Sequence, residues 1–343
     1  MAKLCRLEQA IGEDRAAVVA HKRDIEYFVR RWSDTGLART GEVFSGRVLR
    51  IDKDLMAAFI DLGAGKNGTR ESGLLRFTMA PGVPRLSEGD MLRVSVLRQA
   101  EPGKVPLLKY VALSDAPKPV KEKTVDLKAE IAARYPNVKF EHSPVNGIDM
   151  AAETEIALAG GGFVYIEHTR AGTMIDVDTG TGQKSAVGVA AAREIARQIR
   201  ARGIGGLILI DFPNFRKKKV QADVWQTLKD GFNGDPDLPK IAPFSRFGTV
   251  EMTRTRRGPS IAQVMRNRSG NATPETIALQ ALRRLETEAR VDGGARLVLQ
   301  LPSEAYDWLQ SDVIAWREAL TERMGARFRI VAGASIDVFK DEV

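Results

Sequence analysis

The chain has 343 residues, and 52 Lys and Arg against 44 Asp and Glu give it a formal charge of +8. Hydrophobic residues at 43% and charged residues at 28% are those of a globular protein with a sizeable core, at a length that predicts two or three domains. The single cysteine, Cys5, excludes an internal disulfide framework and a multi-cysteine zinc site. Charge interrupts Met1–Arg31 too often for a signal-peptide core, and no apolar run approaches the ~20 residues of a membrane span. The expectation is a cytoplasmic protein with no membrane span. A basic balance suits a polyanion such as RNA or DNA, with plain solubility the competing explanation.

Residues 1–40 carry two short apolar runs, Ala16–Ala20 and Ile25–Val29, partly β-branched, which predict a small N-terminal β unit. Residues 41–115 change character. Val43–Ile51, Ala57–Gly63 and Met91–Leu97 have strand composition, and turn chemistry at Gly65–Gly68, Ser87–Asp90 and Glu101–Lys104 separates them. Several short strands at such spacing predict a small β-barrel. Residues 116–145 hold Pro117, Pro119 and three lysines within Lys118–Lys123, the composition of a linker or reduced insertion, with a short helix at Leu127–Arg134.

Residues 146–265 predict an α/β unit. Strands at Phe163–Glu167 and Thr173–Val177 precede a helix at Val187–Arg200, whose apolar residues fall on one face. Leu207–Ile210 is a fully apolar run of the kind that forms a buried central strand. A second helix at Val220–Lys229 and strands at Ile241–Phe244 and Gly248–Met252 complete the pattern. Residues 272–343 predict a small C-terminal α/β domain. It takes a helix at Thr276–Val291, a strand at Ala295–Leu301, mostly helix over Ser303–Met324 and a strand at Phe328–Val331.

The candidate chemistry lies in the α/β unit. Asp176 and Asp178 stand two apart on a strand and therefore share a face. Asp211 ends the Leu207–Ile210 strand, and ligands in open α/β sheets bind beyond the carboxyl ends of the strands. If the two strands are neighbours, three carboxylates converge. Such an all-oxygen site suits magnesium, with manganese as the alternative, and a metal held there activates water and stabilises a phosphoryl transition state. The competing explanation is that Asp178 and Asp211 cap turns.

Basic groups surround these positions in sequence. Arg193, Arg197 and Arg200 form a helical stripe, Lys217 and Lys218 lie in the run Arg216–Lys219, and Arg254, Arg256 and Arg257 cluster ahead of Arg266 and Arg268. Each could bind RNA phosphates or be a solvated surface. Phe59 is a candidate for base stacking in the barrel, whereas Phe44 reads as core. His21, His142 and His168 show no metal-ligand spacing, and His168, in the turn Glu167–Arg170, reads as a surface turn residue, with general-acid work as the alternative. Gly160–Gly162 precedes a strand, not a helix, and so lacks the order of a phosphate loop.

Four ordered blocks carry a resemblance: Gly161–Thr169 with Met174–Gly180, Ala192–Arg200, Gly205–Phe212 and Ser245–Arg254. Together they resemble the catalytic region of the ribonuclease E/G family. Gly46–Gly68 is similar to that family's OB-fold RNA-binding domain, and the C-terminal unit resembles its small domain. The resemblance implies an OB-fold barrel, a deoxyribonuclease I-like α/β catalytic domain and a small C-terminal α/β domain. It puts Asp176 and Asp211 on the family's magnesium-binding aspartates, and Asp178 where the family usually has Asn. The implied reaction is metal-assisted hydrolysis of single-stranded, A/U-rich RNA in RNA processing or decay, leaving 5′-phosphates. A non-catalytic RNA-binding protein on the same scaffold is the alternative, and a nuclease acting on DNA is a third.

Departures from the family pattern add further expectations. Residues 116–145 are too short for the insertion that senses a 5′-monophosphate. Arg266–Gly270 stands where a zinc-linking Cys pair would follow, so no zinc is expected and any homo-oligomer would form without a zinc link. Thr69 replaces an aromatic beside the barrel turn. No long scaffold tail for partner enzymes follows Val343.

Overall fold

The computed structural model describes residues 3–65, 69–79, 82–101 and 103–341. Its first element is an antiparallel meander of β1 (Leu4–Ala10), β2 (Glu13–Ala20) and β3 (Arg23–Arg31). Ile11, in the first turn, is buried in one cluster with Leu279, Leu282 and Trp316, so the N-terminal hairpin is part of the C-terminal core.

Five strands then close a barrel: β4 (Val43–Asp52), β5 (Ala57–Ala64), β6 (Arg70–Arg76), β7 (Met91–Arg98) and β8 (Leu107–Leu113). Their order is β5-β6-β8-β7-β4, and an additional β4–β5 pairing seals the ring. Phe44, Val48, Ile60, Leu75, Leu92, Val94 and Leu108 fill the interior, so Phe44 is core, as its sequence context suggested. A closed five-stranded barrel is consistent with an OB-fold. Of the turn read at Gly65–Gly68, Lys66, Asn67 and Gly68 lie outside the described residues, as does Pro102 of the Glu101–Lys104 turn.

Closure depends on β4 serving two partners. Its first half pairs with β7 and its second half with β5. Gly46 sits where the two ladders meet, and a Cβ there would lie 2.5 Å from Ile60 Cγ2 and 2.8 Å from the Asp61 carbonyl oxygen. Only a residue without a side chain allows the backbones to approach this closely.

The stretch read as a linker is built into the fold, and that reading is corrected. β9 (Val120–Lys123) pairs with β4 at the barrel edge, α1 (Leu127–Arg134) follows, and β10 (Lys139–His142) pairs in parallel with β1. Asp126 caps α1 by accepting the Ala129 N–H. Leu127, Ile131 and Tyr135 are buried against Cys5, Leu7 and Val18. The two prolines precede β9 and punctuate only its approach.

Residues from Gly147 onward form the unit that carries the candidate site. After α2 (Gly147–Met150) come β11 (Glu155–Ala157), β12 (Phe163–His168), β13 (Thr173–Asp178), α3 (Lys184–Ala201), β14 (Gly206–Asp211), α4 (Lys218–Asp230), β15 (Lys240–Ile241) and β16 (Thr249–Arg254). The sheet runs β11-β12-β13-β14-β16-β15, with β13 and β14 parallel and every other pairing antiparallel. Val164, Ile166, Ile175, Val177, Ile208, Ile210 and Val250 point to one face, where α3 and α4 cover them. The alternating residues point to the other face, which no helix of this unit covers.

The chain ends in α5 (Ile261–Met265), α6 (Pro274–Val291), β17 (Leu297–Pro302), α7 (Ser303–Gln310), α8 (Trp316–Met324), β18 (Phe328–Gly333) and β19 (Asp337–Lys340). The last three strands order as β18-β17-β19. Trp316 is fully buried and its indole N–H donates to the Leu309 carbonyl at 2.8 Å. Among the described residues no helix is long and apolar enough to cross a membrane.

The barrel seam yields the first testable outcome. Gly46→Val should destabilise the protein by on the order of 1–3 kcal/mol, the usual cost of overpacking, read as a lower urea midpoint. An unchanged midpoint would show that β4 and β5 can separate at this position without penalty.

Candidate active site: a carboxylate pair on parallel strands

The parallel register of β13 and β14 sets Asp176 directly beside Asp211. In-register neighbours on adjacent strands are about 4.8 Å apart. Both side chains alternate with the buried Ile175, Val177 and Ile210, so both are exposed on the uncovered face. Antiparallel neighbours extend the row: Tyr165 of β12 stands beside Asp176, and Thr249 of β16 beside Asp211. Beyond Tyr165, Glu155 of β11 completes it. Neither Asp176 nor Asp211 has an ion-pair partner among the described residues. Desolvation, then the fields of Glu155 and Asp178, push the Tyr165 phenol above its ordinary range.

Asp178 takes a different role from the one expected of a third ligand. It lies on the same face, but its Oδ1 accepts the Gly180 N–H at 2.9 Å and so caps the turn that leaves β13. Among the described residues no group of three or more His, Cys, Asp or Glu side chains is arranged to hold a metal ion. The structure sets Asp176 and Asp211 side by side, with Asp178 two residues farther along the same face of β13. The glycine run before β12 supports the same turn. Gly162, at φ +85°, lies against Asp178, and a Cβ there would stand 2.5 Å from the Asp178 carbonyl oxygen.

Two loops border the pair at the carboxyl edge. One follows Asp178 into the N-terminus of α3 and brings the exposed Lys184. The other follows Asp211 into the N-terminus of α4 and carries Arg216–Lys219, all exposed, including the expected Lys217 and Lys218. Helix N-termini add positive potential there. Phe212, Phe215 and Phe244 anchor this rim, with ring centroids 5.5–6.4 Å apart. Past Phe244 the turn before β16 presents Phe247, 79% exposed, with the Arg246 guanidinium 4.9 Å from its ring centre. Lys184, Tyr165, Arg246 and Phe247 were missed as site residues. Phe247 lies inside the motif Ser245–Arg254, two residues before Thr249, the neighbour of Asp211, a register that the motif alone does not show.

The other basic residues are placed elsewhere, and their expected convergence on the carboxylates is corrected. Arg193 and Arg197 project from α3 on the covered side of the sheet, and Arg197 Nε donates to Glu194 at 2.9 Å. Arg254 is buried at 5% exposure, with Nε 2.9 Å from Asp235 Oδ2 and Nη2 3.1 Å from Oδ1. Arg257 Nε lies 2.9 Å from both Asp237 oxygens, and Arg256 Nη1 lies 2.7 Å from Glu101. Arg254 also pairs with Gly206, at the start of β14, so this cluster occupies the edge opposite Asp211. Phe59 is half-buried on the barrel wall under the Arg50 guanidinium, 4.7 Å from its ring centre.

His168 is likewise not a surface turn residue. Its Nδ1 lies 3.1 Å from Thr173 Oγ1 and its Nε2 3.2 Å from Ser260 Oγ. Burial, reinforced by repulsion from Arg202 and Arg256, lowers its pKa from 6.5 to about 4.

Asp176, Asp211 and the glycine-bounded turn after Asp178 all lie in motifs that resemble one family. Residues 111–257 match the Ribonuclease E/G family. The match takes in the whole carboxylate-bearing sheet. The chain is 34% identical over 166 residues to Ribonuclease E of Escherichia coli K12, across 44% of this chain and 16% of that protein. It is 34% identical over 163 residues to Ribonuclease E of Nostoc sp., across 44% and 23%. It is 32% identical over 155 residues to Ribonuclease G of E. coli K12, across 41% and 32%. The alignments thus span less than a third of each of these relatives.

His168 gives the second outcome. A neutral folded imidazole means that the unfolded chain binds the extra proton between about pH 6.5 and 4. Its contribution to stability is complete above the unfolded value and is lost as pH falls through this window, by at most about 3 kcal/mol. His168→Gln, which cannot titrate, should flatten this part of the curve of urea midpoint against pH. An identical acid slope in the variant would remove His168 as its source.

Proposed function

We propose that this chain is an endoribonuclease that hydrolyses single-stranded RNA with a divalent metal ion, magnesium first and manganese second, held by Asp176 and Asp211. The observation that carries the reading is the in-register carboxylate pair, exposed and without a cationic partner among the described residues. Like charges in adjacent sheet positions repel, and a cation between them removes the repulsion.

The donor set fits the metal. Magnesium takes oxygen ligands, keeps several waters and commonly uses one or two carboxylates. When bound it would lower the pKa of a coordinated water and offset charge developing on a phosphodiester. The chain's own residues supply the rest. Asp178 fixes the turn that leads to Lys184. Lys217 and Lys218, on the loop after Asp211, attract the anionic strand. Phe247 offers a ring for a base to stack on, a contact worth about 1–3 kcal/mol in other single-strand binders.

The choice of RNA, its A/U-rich character, the 5′-phosphate product and the deoxyribonuclease I-like core rest on the family resemblance. The relatives' names, Ribonuclease E and Ribonuclease G, support the first of these. The mixed sheet with helices on one face is compatible with the last. A non-catalytic RNA-binding protein is the second reading, favoured by the lack of a third carboxylate ligand among the described residues.

Asp176→Asn and Asp211→Asn should each reduce cleavage of a labelled A/U-rich RNA in magnesium by at least ~100-fold, while a gel shift with the same RNA persists. EDTA should abolish cleavage by the unaltered protein. Cleavage by the variants at the original rate would overturn the assignment. A gel shift with no metal-dependent product would favour the binder, and a parallel DNA strand tests whether the sugar matters.

A further inference from the structure

The sheet that presents the carboxylate pair at one end borders a cavity of about 650 Å³ at the other. It opens between the β7–β8 connection, the β12–β13 hairpin, the end of α3 and the segment after α5. Six cationic side chains line it: Lys104, Arg170, Arg202, Arg256, Arg266 and Arg268. Glu101 is the one carboxylate among the lining residues, and it is spent on Arg256 at 2.7 Å. Arg266 is answered by Glu153 at 2.5 Å, just outside the lining. Arg170 and Arg268 are exposed and form no ion pair with a described residue.

Arg202 is the decisive member. It is 2% exposed, and its guanidinium donates to Gln198 Oε1 at 2.6 Å and to the Glu153 carbonyl. No carboxylate pairs with it among the described residues. A buried charge normally sits against a counter-charge, because desolvation is costly. Burial and repulsion from Arg197 lower the Arg202 pKa to about 10, the direction expected of a cation lacking an anion. His168 and Ser260, hydrogen-bonded to each other at 3.2 Å, add neutral polar groups to the same wall. The neutral histidine adds no charge that would compete for an anion.

We propose that this cavity is a binding site for a phosphate-bearing ligand of nucleotide size, with Arg202 as its buried anchor and Arg170 and Arg268 as its gate. The volume falls within the range of small-molecule sites, about 300–1,000 Å³. Planar guanidinium groups match phosphate oxygens in pairs. The phosphate belongs either to a free nucleotide or to a nucleotide within an RNA strand. The site is at the opposite end of β13 and β14 from Asp176 and Asp211, so its occupancy needs no metal.

Isothermal titration of the whole protein in EDTA with adenosine 5′-monophosphate, inorganic phosphate and a short oligouridylate tests this. At least one of the three should bind, and the one that binds best identifies the source of the phosphate. The double variant Arg170→Glu with Arg268→Glu, changed only at exposed positions, should weaken that binding at least tenfold. Asp176→Asn should leave it unchanged. Arg202→Met should lose the rise in melting temperature that the same probe gives the unaltered protein. Failure of all three probes to bind at millimolar concentration would overturn the proposal. So would full affinity in the double variant, or loss of binding in Asp176→Asn.

Discussion

One parallel strand pairing governs the chemistry available to this protein. In the six-stranded sheet every other neighbour pair is antiparallel, so successive strand ends point in opposite directions. β13 and β14 are the only neighbours in this sheet that finish at the same edge, and each finishes on aspartate. A parallel pair cannot be joined by a tight turn and needs a crossover of a dozen or more residues. The eighteen residues of α3 provide it, and they lie on the face that the apolar residues of β13 and β14 require to be covered. The period-two alternation then leaves Asp176 and Asp211 on the bare face. Burial, crossover and site are consequences of one register.

Most of the arginines that a charge count would assign to a polyanion serve the fold instead. Arg254 is held between Asp235 and Asp237, and Arg134 of α1 reaches Asp237 at 2.6 Å and Glu26 at 2.7 Å. This network ties the N-terminal meander, α1 and the far end of β16 together. A buried ion pair gives little net stability, yet removing one partner strands the other charge. The use of charge as architecture also helps explain why α1 behaves as structure: its Arg134 carries one wall of the network. What remains for a polyanion at the carboxylate edge is a smaller set, led by Lys184 and Arg216–Lys219.

Much of this was legible wherever a period or a local motif decided it. The apolar run Leu207–Ile210, the helical faces of Val187–Arg200 and Thr276–Val291, and the i, i+2 spacing of Asp176 and Asp178 all announce themselves within a few residues. The pairing of Asp176 with Asp211 was inferred only as a condition, because register is a long-range property. β9 and β10, of four residues each, exist by pairing with β4 and β1 and have little propensity of their own. Arg254 looked like its exposed neighbours because Asp235 lies 19 residues earlier in the chain. His168 needed Ser260, 92 residues away, before it could be recognised as a half-buried hydrogen-bonding group.

The sheet is electrically polarised along its strands, and the polarity has a mechanistic consequence. Under the proposed function, an RNA strand drawn to the lysines after Asp211 would meet two carboxylates that have no ion-pair partner among the described residues. In the proposed reaction a bound cation would offset the repulsion between these carboxylates and the strand. Along β13, Thr173 on the cavity wall is three residues from Asp176, about 10 Å. That exceeds the Debye length of about 8 Å at physiological ionic strength. β13 joins the two regions directly: its Thr173 contacts His168 on the cavity wall and, three residues on, its Asp176 stands beside Asp211.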